Sequence, residues 1–242
     1  MVDDSIGGTR PPANTVFSHR EIPMIAFHTI VSAYGFWLPN DPRGSWSNYV
    51  GSQELHRFGG DATRTNTTQS VASRPHDARK RRSAKALIKH PPVRFDGEQA
   101  RSIAGGFHDV ADDAKYQVLA LAVMPTHLHA VIGAHPREPS RIIGHLKRGA
   151  TDRLIDDGVH PCLTGGWITH SCWAKQAWAV YIGEETHLRR AIRYVENNPI
   201  QDGMPRQRWR FVARSRQAYF DARDSVNDPI RGPANGSASF QL

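Results

Sequence analysis

The hydrophobic positions of the chain fall into two kinds of pattern. Short runs rich in apolar and β-branched residues are typical of strands, and they occur at residues 24–32, 116–123, 127–132 and 178–182. Apolar residues spaced three and four positions apart predict helices, and this spacing occurs at residues 96–113, 139–155 and 184–198. We expect the last helix to stop before Pro199, because proline has no backbone N–H for the helical hydrogen bonds.

The order of these elements predicts the fold. It reads strand, helix, strand, strand, helix, strand, followed by one more helix. The second and third strands are separated by only a short link around Met124 and Pro125, which favours an antiparallel hairpin. The first six elements match the split βαβ-βαβ arrangement of ferredoxin-like folds. The sequence therefore predicts an α+β fold, with helices on one face of an antiparallel sheet and a further C-terminal helix.

Polar segments predict the limits of the domain. Residues 1–20 and 223–242 have the Gly-, Pro- and Ser-rich composition of flexible tails. The stretch from about 39 to 94 is polar and lacks sustained periodicity, so we interpret it as an insertion loop. These limits leave a single domain over residues 21–222.

Composition excludes several classes of protein. With 39% hydrophobic and 22% charged residues in 242, the chain can form a core and is not disordered throughout. No apolar run approaches the roughly 18 residues that a membrane helix needs. The first residues lack the apolar segment of a secretory signal. The two cysteines cannot form a disulfide scaffold, so we expect a cytoplasmic protein without membrane contact.

The charge of the chain favours a polyanionic partner. Lysine and arginine outnumber the acidic residues by 31 to 23, and the isoelectric point is about 9.9. Residues 74–94 carry eight cations and one acid, and residues 206–216 carry five arginines and no acid. Each run alone is typical of a solvated loop, but the second also contains aromatic residues, which stack on nucleic-acid bases. The predicted DNA-binding residues are Arg79, Lys80, Arg81, Arg82, Arg206, Arg208, Trp209 and Arg210.

Two pairs of residues carry candidate chemistry. His127 and His129 are two positions apart on a predicted strand, so both imidazoles point to one face and form a potential metal-binding pair. Tyr194 and Asn198 are four positions apart on the last helix and share one of its faces. Either pair alone has an ordinary alternative: a chance His-x-His in a chain with 13 histidines, or a core-edge tyrosine followed by a capping asparagine.

Together, the two pairs resemble a known family. The segments MPTHLHAVI (124–132) and RYVENNPIQDG (193–203) are similar to the motifs of the single-tyrosine HUH transposases, and most similar to the REP-associated tyrosine transposases. Weaker similarity occurs in the same order around them, at residues 27–46, 145–154 and 208–212. The resemblance extends from residue 24 to about residue 220.

This resemblance implies an enzyme that nicks single-stranded DNA beside a hairpin and transfers the strand. It implies that Tyr194 is the nucleophile that forms a 5′-phosphotyrosine, on a C-terminal catalytic helix. His127 and His129 would bind a divalent metal, Mn²⁺ or Mg²⁺, with Asn198 as the third ligand. Lys147 is a further candidate contact to phosphate. Such enzymes occur as homodimers and as monomers, and both states are compatible with the motifs.

Other interpretations use the same residues. A domesticated protein could bind hairpin DNA with little catalysis, although such a protein would need neither the histidine pair nor the tyrosine. A zinc-dependent hydrolase could use His127 and His129, although no carboxylate ligand or base is evident near them. A separate zinc site is also conceivable, from two His-x-Cys pairs: His160, Cys162, His170 and Cys172. His28, on the first strand, is predicted to pack or to hydrogen-bond rather than to bind metal.

Overall fold

The computed structural model describes residues 24–45, 47–65, 71 and 74–227. The predicted tails therefore lie mostly outside the described residues. In chain order, the described elements are β1 (Ala26–Ala33), α1 (Gln53–Gly59), α2 (Ala78–Ala86), α3 (Gly97–Ala114), β2 (Val118–Val123), β3 (His127–Gly133), α4 (Pro139–Asp156), β4 (Leu163–Thr164), β5 (Trp167–Ile168), β6 (Trp173–Ile182), α5 (Glu185–Gln201) and α6 (Arg210–Asn227). None of these helices is long and apolar enough to cross a membrane.

The main sheet has four strands in the order β2-β3-β1-β6, and all neighbouring strands are antiparallel. The strands β2 and β3 form the predicted hairpin. This strand order, with α3 and α4 as the two crossover helices, confirms the α+β, ferredoxin-like fold. The strands β4 and β5 form a separate small hairpin between α4 and β6.

Helices cover both faces of the sheet. The helices α3 and α4 pack on one face, where Phe27, Leu128 and Ile132 belong to the larger hydrophobic core. The helices α5 and α6 pack on the other face, against residues such as Leu119 and Val131. Side chains alternate between the two faces along each strand, and both faces are buried over much of their area. The sequence predicted α5 but not its partner α6.

Side chains cover the β2 edge of the sheet. The side-chain amide of Gln207 accepts a hydrogen bond from the backbone N–H of Val123 at 2.8 Å and donates one to its carbonyl at 2.7 Å. The indole of Trp209 donates to the carbonyl of Leu121 at 3.0 Å. These bonds satisfy groups that an edge strand otherwise offers to other chains. Trp209, predicted to stack on DNA bases, thus has a structural partner within the fold.

The predicted insertion loop contains regular structure. The helices α1 and α2 lie within residues 39–94 and form a small core of Leu38, Leu55 and Ala84. A buried ion pair joins Arg43 to Asp41, with Nε and Oδ1 2.8 Å apart. The short helices were missed because α2 is almost entirely polar and buries only Ala84. A pattern of hydrophobic positions cannot identify a helix that has almost no hydrophobic face.

The predicted end of the tyrosine-bearing helix was wrong. The helix α5 does not stop before Pro199 but continues to Gln201, with the proline buried in its last turn. Because Pro199 has no N–H for the carbonyl of Val195, the helix continues past the proline with one hydrogen bond fewer. The chain leaves the helix at Gly203, whose φ of +72° is a conformation that favours glycine. The helix α6 then extends beyond residue 222, the predicted end of the domain.

The helices α3 and α4 approach each other closely at Gly106 of α3 and Gly149 of α4. A Cβ added to Gly106 would lie 2.7 Å from the Cα of Ala150, and it would also overlap the backbone of Gly149. By contrast, a Cβ added to the neighbouring Gly105 would lie 3.4 Å from its nearest neighbour, the end of the Arg153 side chain. The contact between these two helices therefore depends on Gly106 and not on the adjacent Gly105.

We predict that Gly106→Ala destabilises the protein by about 1–3 kcal/mol, because the added methyl group forces the two helices apart. Gly105→Ala is the matched control and should be neutral or stabilising, since alanine favours the helix over glycine. Urea denaturation monitored by circular dichroism measures both free energies of unfolding. Equal stability of the two variants would contradict the close helix contact.

Candidate active site

Three imidazoles lie in a row on the face of the sheet that α5 covers. His127 and His129 point to this face from β3, and His28 points to it from β1. The two Nε2 atoms of His127 and His129 are 3.0 Å apart. The Nδ1 atom of His129 is 3.1 Å from Nε2 of His28, and these two rings are nearly parallel. His28 is thus a buried, hydrogen-bonded residue, as predicted from the sequence.

The environment of these histidines keeps them neutral. Burial, assisted by the charge of His187, lowers the pKa of His28 to about 4. Burial also lowers the pKa of His127 to about 4, although the carboxylate of Asp202 acts in the opposite direction. His129 is the most buried of the three, and burial together with its two histidine neighbours holds its pKa well below the usual value of 6.5. At neutral pH the ring nitrogens therefore retain lone pairs that can bind a metal ion.

The helix α5 brings the predicted nucleophile to this row. The ring of Tyr194 meets His129 edge-on, with ring centroids 5.5 Å apart, and it meets His28 in the same way at 5.8 Å. Tyr194 is 42% exposed, so its hydroxyl can reach a ligand in solvent. One turn later, the side-chain nitrogen of Asn198 donates to the Tyr194 carbonyl at 3.0 Å. This bond fixes the asparagine while its side-chain oxygen can still act as an acceptor or ligand.

All four predicted residues of the metal and nucleophile site line one cleft of about 820 Å³: His127, His129, Tyr194 and Asn198. The same cleft is lined by His187, Arg190 and Asp202, which the sequence analysis did not select. Their spacing carries a signal, because residues 187, 190, 194, 198 and 202 follow the three-to-four periodicity of a single helix face. The structure shows that this face points into the cleft.

Phe36 and Trp37, just before the insertion, and Val71 within it supply a further wall of the cleft. The ring of Phe36 stacks in parallel on His127, with a centroid distance of 5.3 Å and an angle of 6°. The ammonium group of Lys85, on α2, lies 5.3 Å from the centre of the Phe36 ring. Burial and the neighbouring Arg81 lower the pKa of Lys85. The segment 39–94 is thus in contact with the residues beside the histidine pair.

The predicted DNA-binding residues differ in what they contact. Most of the cations in both basic runs are exposed, namely Arg79, Lys80, Arg82, Arg206, Arg208 and Arg210, and Arg81 is partly exposed. Lys147 is different, because its ammonium group donates to the carbonyl of Ala174 on β6 at 2.8 Å. Burial also lowers its pKa. Lys147 therefore joins α4 to the sheet, and this bond explains its position without DNA.

The two His-x-Cys pairs lie beside the β4–β5 hairpin but do not form a tetrahedral set. The sulfur of Cys162 is 3.4 Å from Nε2 of His170. His160 instead turns its Nδ1 towards the backbone N–H of Cys162, and Cys172 is completely buried, with its pKa raised to about 12 by burial. Within the described residues, no group of three or more His, Cys, Asp or Glu side chains could hold a metal ion.

The fold and this site define a class of protein: an α+β domain with a paired-histidine strand beside a tyrosine-bearing helix. Residues 88–198, a little under half of the chain, match the family described as "Transposase IS200 like". This segment contains His127, His129, Tyr194 and Asn198. The chain is therefore similar to the IS200-like transposases over residues 88–198, in agreement with the resemblance to the single-tyrosine transposases. A comparison with curated proteins finds no match.

Two solved structures align with most of the chain. One is described as a REP-associated tyrosine transposase bound to a REP hairpin, with 12% identity, a TM-score of 0.39, and coverage of 75% of this chain and 70% of that one. The other is a candidate transposase from Deinococcus radiodurans R1, with 15% identity, a TM-score of 0.35, and coverage of 79% and 97%. At these TM-scores, neither alignment adds to the assignment from the family match.

We predict that the metal-free protein loses stability as the pH falls from about 6.5 to about 4. In this range the unfolded chain binds protons at His28 and His127 that the folded protein does not bind, so acid favours unfolding. The loss is at most roughly 3 kcal/mol for each histidine. Urea denaturation across this pH range, with a chelator present, measures it. The double variant His28→Gln, His127→Gln should show a shallower pH dependence, and an unchanged slope would contradict the assignment.

Proposed function

We propose that this protein is a transposase that nicks single-stranded DNA and transfers the strand, acting at hairpin or palindromic repeats through a 5′-phosphotyrosine. Among such enzymes, its motifs place it closest to the REP-associated tyrosine transposases. One observation carries the proposal: a tyrosine on α5 lies edge-on to two buried, neutral histidines in a single cleft. A protein that only binds DNA would not need this combination.

The histidine pair fits a divalent metal ion. If two nitrogens bind the same ion at about 2.1 Å and the angle between the two bonds is about 90°, the nitrogens are about 3.0 Å apart. This is the distance between the Nε2 atoms of His127 and His129. The side-chain oxygen of Asn198 would complete the protein ligands. Two imidazoles and an amide oxygen suit Mn²⁺ better than Mg²⁺. When bound, the ion would supply positive charge beside the scissile phosphate.

The neighbours of the pair determine which nitrogens carry protons. For His129 to offer the lone pair of Nε2, its proton must be on Nδ1, from which it is donated to Nε2 of His28. His28 must then carry its own proton on Nδ1. For His127, the proton on Nδ1 is donated to the hydroxyl of Thr126, 3.2 Å away. His28 and Thr126 therefore orient the two ligands, as partners of metal-binding histidines commonly do.

The chemistry of Tyr194 explains why strands can be joined again. Its phenolic oxygen forms a bond to phosphorus and loses its proton, while the bond to the 3′ oxygen breaks and that oxygen gains a proton. The phosphodiester energy is kept in the protein–DNA bond, so another 3′ hydroxyl can reverse the step without ATP. A phenol is a weak nucleophile at neutral pH, and a divalent ion held by the histidine pair would make the phosphate easier to attack.

The remaining features of the protein are consistent with this activity. The exposed cations of α2 and of residues 206–210 would neutralise phosphates of the DNA. The histidine pair and Tyr194 meet within one chain, an arrangement compatible with a monomer and with a homodimer. Cys162 and Cys172 are both free and buried, which fits the cytoplasm that we expect as its compartment.

The proposal is tested by replacing the nucleophile. We expect wild-type protein, incubated with labelled single-stranded hairpin DNA and Mn²⁺, to form an adduct that survives SDS electrophoresis. Tyr194→Phe should form no adduct and should bind the hairpin with nearly unchanged affinity, because only the hydroxyl is lost. Tyr181→Phe, at an exposed tyrosine on β6, is the control and should react normally. An adduct in Tyr194→Phe would refute the nucleophile, and cleavage without any adduct would favour a hydrolase.

The metal ligands can be tested apart from the reaction. Electron paramagnetic resonance should detect Mn²⁺ bound to wild-type protein. His129→Ala should weaken this binding by at least tenfold, because one of the two imidazoles is lost. His108→Ala, at a partly exposed histidine on α3 outside the cleft, should leave it unchanged. Equal Mn²⁺ affinity in all three proteins would exclude His129 as a ligand.

Salt dependence tests the cations of α2. Each phosphate that a cation neutralises contributes roughly 0.7–0.9 to the slope of log K against log salt. Replacing Arg79, Lys80, Arg81 and Arg82 by glutamine should therefore reduce the slope by up to about 3. The control variant replaces the exposed Arg101 and Arg148 by glutamine. These residues lie on α3 and α4, on the side of the sheet away from the cleft, and their replacement should leave the slope unchanged. The same slope in both variants would show that α2 does not contact DNA.

A further inference from the structure

A second cavity lies beside the cleft and opens into the same region. Its volume is about 290 Å³, and it lies between the insertion and the β6 edge of the sheet. The cleft and this cavity share four lining residues: Ile30, Ser32, Trp37 and Trp178. A molecule that occupies the cleft can therefore extend directly into the second cavity.

Aromatic rings form much of the wall of this cavity. Tyr34, Trp37, Tyr49 and Trp178 line it, and its surface is mainly apolar. Tyr49 is 57% exposed, and its hydroxyl accepts a hydrogen bond from Lys175 at 2.9 Å. The same ammonium group lies 5.6 Å from the centre of the Tyr49 ring. A cation and an exposed ring are thus held together at the mouth of the cavity.

The insertion holds the opposite side in place. The indole of Trp37 donates to the carbonyl of Gly44 at 2.7 Å. The guanidinium of Arg43 lies 3.8 Å from the centre of the Trp37 ring and is itself fixed by Asp41. Because Asp41 and Arg43 are buried, the Trp37 ring has a defined position before any ligand binds. A preformed aromatic wall of this kind reduces the entropic cost of binding a flat molecule.

We propose that this cavity is a slot for one unpaired base of the DNA strand whose phosphate lies at Tyr194. The inference rests on the proposed function, since continuity with the cleft identifies the occupant as part of the same strand. Aromatic walls bind bases of any sequence by stacking. The volume is at the lower end of small-molecule sites, which suits a single base and excludes a duplex. Lys175 would pair with a phosphate at the entrance.

The polar groups at the rim suit the edge of a base. Ser45 and Ser52 line the cavity but use their hydroxyls within the insertion. Ser47 and Asn48 line it beside the rings and are the side chains that would meet the base. Hydroxyl and amide groups both donate and accept hydrogen bonds, as the edges of bases require. These residues all belong to the insertion. The insertion would therefore contribute directly to recognition of the single-stranded segment.

The test compares two DNA probes by fluorescence anisotropy. One is a hairpin with a single-stranded flank on the side of the scissile phosphate, and the other is the same hairpin without the flank. Tyr49→Ala should weaken binding of the flanked hairpin by about 5- to 100-fold and leave binding of the bare hairpin unchanged. Tyr49→Phe should bind the flanked hairpin normally, because it keeps the ring. Tyr181→Ala, at an exposed tyrosine outside the cavity, is the matched control.

Abasic sites placed one at a time along the flank identify the base. One position should weaken binding to wild-type protein as much as Tyr49→Ala does, and the two changes together should cost no more than either alone. Additive losses, or full binding of the flanked hairpin by Tyr49→Ala, would overturn the slot. Absence of an SDS-stable adduct in the wild-type protein would instead contradict the nicking function, and the comparison of the two probes still decides the slot.

Discussion

Uneven burial of the two faces of the sheet creates the site. The helices α3 and α4 cover one face. On the other face, α5 and α6 pack mainly against β2, and the part formed by β1 and β6 is left to line the cleft. The pairing of β1 with β3 places Ile30 opposite His129, so the histidines of both strands lie on this second face. Polar groups can remain here because the hydrophobic core does not require the space.

The histidine row is costly for folding and useful for chemistry. Burial of three imidazoles removes them from water, and their hydrogen bonds to one another offset part of that cost. The same burial keeps them neutral, as metal binding requires. His28 contributes by satisfying His129, whose other nitrogen then remains available. The histidine row thus lowers the stability of the fold at the position where the proposed reaction needs neutral imidazoles as metal ligands.

The insertion has a definite structural role beside this site. Its buried Asp41–Arg43 pair supports Trp37, and its helix α2 places Lys85 over Phe36, which in turn stacks on His127. Because ring stacking and buried ion pairs fix side-chain positions, the insertion holds one wall of the cleft rigid. A segment of polar composition therefore helps to shape both the cleft and the neighbouring cavity.

The sequence by itself determined the strand order, the hairpin, and the two pairs of residues that meet in the cleft. These follow from periodicity, because residues two apart on a strand or four apart on a helix must share a face. The tertiary structure decided what periodicity does not encode: the helices of the polar insertion, the use of Trp209 and Lys147 as internal hydrogen-bond donors, and the contact of His28 with His129. Each depends on neighbours that are distant in the chain, so only the folded arrangement brings them together.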